Sequence, residues 1–429
     1  MMLHLKFPYG KEHLAIDLPR EQVSAVLTSA LESYRPDADA PTLVKRALEQ
    51  PVGSLPLREL SRGKKRITII ASDHTRPVPS RLLMPQLLGE IRAGNPEADI
   101  TILIATGCHR ETSRDELIAK FGEDIVECEK IVVHDCDDRE NMVFLGTLPS
   151  GGECWVNRLA CETDLLVSEG FIEPHFFAGY SGSRKSVLPG VAGRSTVLAN
   201  HCAEFIDHPA SRAGSLKENP IHRDMVWAAR KAGLAFILNV VLNGEKETIH
   251  AVAGDMEAAH EAGCSFLEGL CGVQAAMADI VITTNGGYPL DQNIYQAVKG
   301  MTAAEASVKK GGVIIMMAKS NDGHGGEAFC REMMASDDMD ALMIGILRRG
   351  RGETLPDQWQ AQIMIRILQR AQVVYISEAE DELVRKLHMT PAHSLQEALE
   401  LAKQMIGKEK PTVTAIPDGV GVIVHGNED

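Results

Sequence analysis

Apolar and polar positions alternate from the first residues. "LHLKF" and "HLAIDL" switch residue by residue around "PYGKE", a turn composition, which predicts a hairpin. Residues Glu21 to Ser33 then carry a helical spacing. Beyond them the pattern changes to short runs that are apolar on both faces: "RITIIAS" (66–72), "DITILIAT" (99–106), "KIVVHD" (130–135), "DLLVSEG" (164–170) and "LAFILNVVL" (234–242). Four more follow, "DIVITTN" (279–285), "GGVIIMMA" (311–318), "AQVVYIS" (371–377) and "VGVIVHG" (420–426). Strands apolar on both faces are covered on both, the habit of parallel strands joined by crossover helices. Helical patterns over 255–272 and 293–311 both stop at Gly. The expected fold class is α/β: two α/β domains with mainly parallel, doubly wound sheets and an active-site cleft between them. The boundary is set near residue 270, giving domains 1–270 and 271–429, with the helix pair across 255–311 as the hinge.

Composition changes this picture in three ways. A net charge of −15 repels nucleic acid on average, yet it leaves room for a local basic pocket that takes a small anion. Nine cysteines, an odd count without a CxxC pair, argue against a disulfide framework or a thiolate zinc site and for a reducing compartment. The N-terminus lacks the apolar core of a signal peptide, and no run approaches the roughly 20 apolar residues of a membrane span. A soluble, cytoplasmic protein with no membrane partner is expected.

Candidate chemistry gathers where each strand ends, which is where open α/β sheets bind ligands. Asp73, His74, Thr75 and Arg76 follow the first core strand, with Pro77 and Pro79 stiffening the exit. His109 and Arg110 follow the second, and Glu173 and His175 the fourth. Gln296 and Lys299 come after the first strand of the second domain, and His324 after the next. A lone surface His or Arg is usually just solvated. Such groups at the ends of successive strands point instead to one shared site.

The stretch from Gly179 to Ser186 reads G-x-x-x-x-R-K-S, close to a phosphate-binding P-loop. Arg184 stands where the second glycine belongs, and Pro189 falls where the P-loop helix would run, which argues against an NTPase. A Gly/Ser-rich turn with a lysine still suits one phosphate. No G-x-G-x-x-G follows the first core strand, which weighs against NAD. His175 and His201 are too far apart in sequence to form a helical metal pair.

The segments "SDHTRPVP", "ATGCHRETS", "EPHFFAGYSGSRKSVLPGV", "ANH", "QNIYQAVKG" and "DQWQAQ" together resemble the nickel-pincer lactate racemase family, in order and over nearly the whole chain. The resemblance implies a nickel-pincer nucleotide, a pyridinium mononucleotide whose two thio-acid groups grip nickel through sulfur, carbon and sulfur. By position it puts the tether on Lys185, the protein nickel ligand on His201, and the acid–base pair on His109 and His175. It puts carboxylate binding on Arg76, Lys299 and Gln296. Asp73, Thr75, Gly182 and Trp359 fall among the cofactor contacts, with Phe176, Phe177 and Trp359 as candidate walls. The implied activity is racemisation or epimerisation of a 2-hydroxy acid by reversible hydride transfer from C2. The implied partners are that small carboxylate and the cofactor-making proteins. Ser183 departs from the glycine expected there. Two alternatives stand beside this reading: an NAD-linked 2-hydroxy-acid dehydrogenase, and a non-enzymatic binder of an organic anion.

Overall fold

The structure, a computed structural model, describes residues 1–426. It divides into two compact units, one made of Leu31–Leu270 and the other of Met1–Ala30 with the chain from Cys271 onward. The first 30 residues therefore pack with the second unit, although sequence order puts them beside the first.

In the unit Leu31–Leu270 a six-stranded sheet runs Thr248–Gly254, Leu234–Leu242, Leu165–Phe171, Arg66–Ser72, Asp99–Ala105, Lys130–Val133. All neighbours are parallel except the antiparallel edge pair 234–242 and 248–254. Strand residues alternate between the faces. Ile67, Ile69 and Ala71 join Leu83, Leu87 and Ile91 of the helix Ser80–Gly94 and Val44 and Leu48 of the helix Ala40–Glu49 in one core. Each Val, Leu or Ile among them, fully removed from water, contributes about 1.5–3 kcal/mol before entropy is counted. The chain moves outward from Arg66–Ser72 through the next two strands and then returns to its other side at Leu165–Phe171. That reversal makes a topological switch point between Arg66–Ser72 and Leu165–Phe171.

The other unit repeats the plan with a fully parallel sheet, ordered Thr390–Ala392, Gln372–Ile376, Val308–Met317, Ala278–Thr284, Val413–Ile416, Val23–Val26. The predicted hairpin is present as Met2–Tyr9 and Glu12–Pro19. Its Leu5, Phe7, Ile16 and Leu18 share a core with Ile280, Ile315 and the helix Leu395–Ile406. This apolar face and the edge strand explain why the N-terminal 30 residues belong here.

Two expected elements are corrected. Residues 21–33 hold no helix of that length: a short 3-10 turn, Arg20–Gln22, precedes the strand Val23–Val26, which pairs with Val413–Ile416. The run at 420–426 forms only Ile423–His425, in a two-stranded pairing with Gly272–Gln274, while Val413–Ile416 takes the place in the main sheet. Both doubly wound sheets are as expected.

Candidate active site

Three loops meet at the carboxyl ends of the strands around the switch point. The first begins at Asp73, whose side chain is almost fully buried. Its Oδ1 accepts from the Thr75 hydroxyl at 2.7 Å, and its Oδ2 accepts from His109 Nδ1–H at 2.7 Å. Burial pushes the Asp73 carboxyl up, but the His109 and Thr75 donors and the positive charges around it hold it below its ordinary value. In the neutral form of His109 the carboxylate sets the tautomer, with the proton on Nδ1 and the lone pair on Nε2. Arg76 is exposed on the same loop, its N–H donating to Asp73 O at 3.3 Å.

The second loop, after Asp99–Ala105, carries His109. It is pinned to the third through Gly107 N–H to Gly190 O at 2.9 Å, and Gly190 N–H goes on to Lys185 O at 3.0 Å.

The third loop follows Leu165–Phe171 and holds His175, Gly182, Lys185 and, further on, His201. Gly182 has φ +84, and a Cβ there would lie 2.6 Å from Asn239 Oδ1, the acceptor of the Ser183 N–H. Only glycine fits that close approach. Ser183 sits at φ +48, left-handed backbone that would suit the glycine expected there. The Ala178 N–H donates to His175 Nδ1 at 3.3 Å, so the neutral His175 carries its proton on Nε2. His109 and His175 are therefore set in opposite tautomers.

Phe177, buried, gathers three of the expected residues. The His175 ring centroid is 4.5 Å from its own, the His201 centroid 5.2 Å, and Lys185 Nζ 5.9 Å. His201 closes the helix Arg194–Asn200, and its Nδ1–H donates to Val197 O at 2.9 Å. Burial, reinforced by the Lys185 charge, pushes its pKa down to about 3. A neutral imidazole with Nδ1 engaged by backbone and its lone pair on Nε2 is the form that ligates a transition metal.

Residues 9–214 match the family described as the lactate racemase N-terminal domain, and residues 273–424 match the lactate racemase C-terminal domain. The lactate racemase of Thermoanaerobacterium thermosaccharolyticum is 55% identical over 99% of this chain and all of that protein. The lactate racemase of Lactiplantibacillus plantarum is 51% identical over the same shares. This chain belongs to the lactate racemase family. It is an enzyme of the isomerase class, a racemase. The solved lactate racemase apoprotein from T. thermosaccharolyticum superposes with a TM-score of 0.95 at 54% identity, covering 99% of this chain and all of that one. A Thermotoga maritima protein at 19% identity and TM-score 0.61 shares the fold.

Within this lactate racemase family member, the remaining expected residues lie in the other unit. Gln296 and Lys299 are half-buried in the helix Ile294–Glu305, whose N-cap Asn293 accepts from Gln296 N–H at 2.9 Å. Three residues apart, they project to the same side of that helix. Trp359 is half-buried in the first turn of the helix Gln358–Arg370. His324 accepts from Gly326 N–H at 3.1 Å, a local turn contact.

Arg184 is the residue that the P-loop comparison misleads on. It points inward and is 1% exposed. Its guanidinium donates to the carbonyls of Ala178, Ser181 and Gly182 at 2.9, 3.2 and 3.2 Å, and to His222 Nδ1 at 3.0 Å. It also lies 3.0 Å from His260 Nε2. This cation laces the loop between His175 and Lys185 rather than meeting an anion. The alternation of small residues gives no hint of it in the sequence.

Proposed function

We propose that the chain racemises lactate, or a closely related 2-hydroxy acid, with a nickel-pincer nucleotide bound beside Lys185 and His201. The observation that carries this reading is the pairing of oppositely set imidazoles, His109 and His175, with a buried, neutral His201 next to a lysine. The donor set fits the cofactor: a neutral imidazole for nickel, an amine for the tether, and a glycine-rich turn with Gly182 for close approach of a phosphate. Asp73, Thr75 and Trp359 are assigned as further cofactor contacts. When bound, the group supplies a reversible acceptor for the hydrogen at C2 of the substrate.

The chain's own residues do the rest. Arg76 offers a two-armed fork to the substrate carboxylate, and Gln296 and Lys299 are carried over from the resemblance as substrate-binding residues. The C2 hydrogen beside an ionised carboxylate is too weakly acidic to leave easily as a proton, so the protein's acid–base work falls on the hydroxyl. His109 Nε2, with Asp73 behind it, takes the hydroxyl proton from one hand of the substrate. The proton for the opposite hand comes from His175 as imidazolium, protonated on both nitrogens, since a neutral imidazole that gave up its one N–H would be left as imidazolate. The Ala178 N–H contact at Nδ1 yields when His175 is so charged. In the reverse direction the two exchange roles, which is what a reaction between mirror images requires.

The same reading makes cofactor-making proteins obligatory partners and the cytoplasm the place of work. Among the described residues no helix is long and apolar enough to cross a membrane. The test is a chiral assay on protein co-expressed with the cofactor-making enzymes, over a panel of 2-hydroxy acids. Interconversion of L- and D-lactate without added NAD supports the reading. Turnover that survives intact in the double variant His109→Ala, His175→Ala sinks it.

A further inference from the structure

One helix fastens two of the three loops. Arg114–Phe121 opens with a capping box, in which the Ser113 hydroxyl accepts from Glu116 N–H and the Glu116 carboxylate accepts from Ser113 N–H. The same carboxylate takes both arms of Arg110, at 2.6 and 2.9 Å, next door to His109. It also lies 3.8 Å from His74 Nδ1, which is 3.0 Å from the Thr112 hydroxyl. One turn on, Lys120 Nζ reaches across to the carbonyl of Arg76 at 3.4 Å. Loop 106–113 and loop 73–76 are thus tied to one rigid element through the i, i+4 pair Glu116 and Lys120.

Lys120 is half-buried, and its surroundings are those of a group held in place. Burial pushes its pKa down; the Glu169 and Asp73 carboxylates push it back up, against the Arg76 guanidinium. Glu169 is 1% exposed on the strand Leu165–Phe171. Its Oε1 accepts the Ser80 hydroxyl at 2.7 Å, and its Oε2 has no hydrogen-bond partner. The ammonium thus has one backbone carbonyl as its hydrogen-bond acceptor and feels the charge of two carboxylates. Nothing in the acid–base chemistry uses it.

We propose that Lys120 is a positioning residue for the substrate carboxylate: it fixes the Arg76 carbonyl, and with it the turn that aims the Arg76 guanidinium. The proposal rests on the reading of Arg76 as the carboxylate fork. Pro77 follows directly, so the Arg76 backbone is already restricted, and a bond to its carbonyl sets the remaining freedom.

The experiment uses holoenzyme made with the cofactor-making enzymes and compares Lys120→Met, Lys120→Arg and Arg76→Met by KM and kcat for lactate. Losing one hydrogen bond that holds the fork is expected to raise KM about tenfold in Lys120→Met, with kcat within about twofold. Lys120→Arg keeps a donor and a charge and is expected to restore KM to within about twofold. Lys120→Met alone removes a positive charge that acts on the buried Glu169. If it does not fold, the double variant Lys120→Met, Glu169→Gln removes the charges in balance and is read the same way. A raised KM in Arg76→Met beside an unchanged KM in Lys120→Met overturns this proposal alone. So does a Lys120→Met defect confined to kcat, or one that Lys120→Arg does not relieve. An unchanged KM in Arg76→Met overturns the Arg76 reading and this proposal with it.

Discussion

Replacing Asp73 with Asn isolates the tautomer argument, because it changes one atom and keeps the shape. Asp73 accepts at both oxygens: from the Thr75 hydroxyl and, more distantly at 3.3 Å, the Thr75 N–H at Oδ1, and from His109 Nδ1–H at Oδ2. The amide has one acceptor oxygen. Two Thr75 donors claim it, which turns the NH2 toward His109 Nδ1. That nitrogen must then accept, and the proton moves to Nε2. His109 takes the same tautomer as His175, and neither Nε2 then offers a lone pair to the hydroxyl proton. A buried carboxylate that sets an imidazole's tautomer is worth up to about 10⁴ in rate where the wrong form results. The charge-assisted hydrogen bond itself accounts for about 1.5–3 kcal/mol of that. His109 is 44% exposed on its side chain, so solvent lets some molecules regain the right form, and the expected loss in kcat is about 10²–10⁴. Because mirror-image acids have equal energies in water, kcat/KM must fall by the same factor in both directions. The assay is conversion of each pure enantiomer of lactate followed by circular dichroism, beside a denaturant melt showing unfolding free energy within about 1.5 kcal/mol of the parent. An Asp73→Asn enzyme within threefold of the parent would refute the tautomer reasoning.

Three other outcomes follow from particular side chains. His134, His201 and His260 are buried and His222 is half-buried, all with pKa values lowered chiefly by burial, to about 3 for His201 and His222. A group depressed in the folded state stabilises above its unfolded value and loses that stability on acidification, so stability holds above about 6.5 and falls as pH drops toward 3. Each site contributes up to about 1.4 kcal/mol per pH unit, and urea melts at pH 7, 6 and 5 with a flat profile would contradict this. Gly182→Ala forces a Cβ to within 2.6 Å of Asn239 Oδ1 at φ +84, and a loss of about 1–3 kcal/mol is expected in the same melts. His201→Ala is expected to fold but to retain little nickel by elemental analysis after co-expression, whereas parental nickel content would remove His201 from the metal site.

The core strands were legible because burial on both faces leaves runs such as "RITIIAS" with no polar alternation. The residues around the switch point were legible for the same reason: Asp73, His109 and His175 are polar groups stationed where such runs stop. The segment 21–33 was not legible. Val23 and Val26 fit a helical spacing equally well, and what decides is a partner strand about 390 residues away, which no local window contains. "VTAI" at 413–416 is short and flanked by prolines, while the longer "VGVIVHG" nearby looked the better strand. Nor could sequence order show that the N-terminal hairpin packs on the later sheet. Tautomers lay further out of reach: they depend on a 2.7 Å contact to one carboxylate and a 3.3 Å contact from one backbone N–H.

The central claim is that the C2 hydrogen moves with its electrons while His109 and His175 handle only hydroxyl protons. Enantiopure lactate carrying deuterium at C2, racemised by holoenzyme in ordinary water and stopped before completion, tests it most directly. The account predicts that the opposite enantiomer keeps its deuterium, as read by mass spectrometry. Product that has exchanged it for a solvent proton would contradict the account.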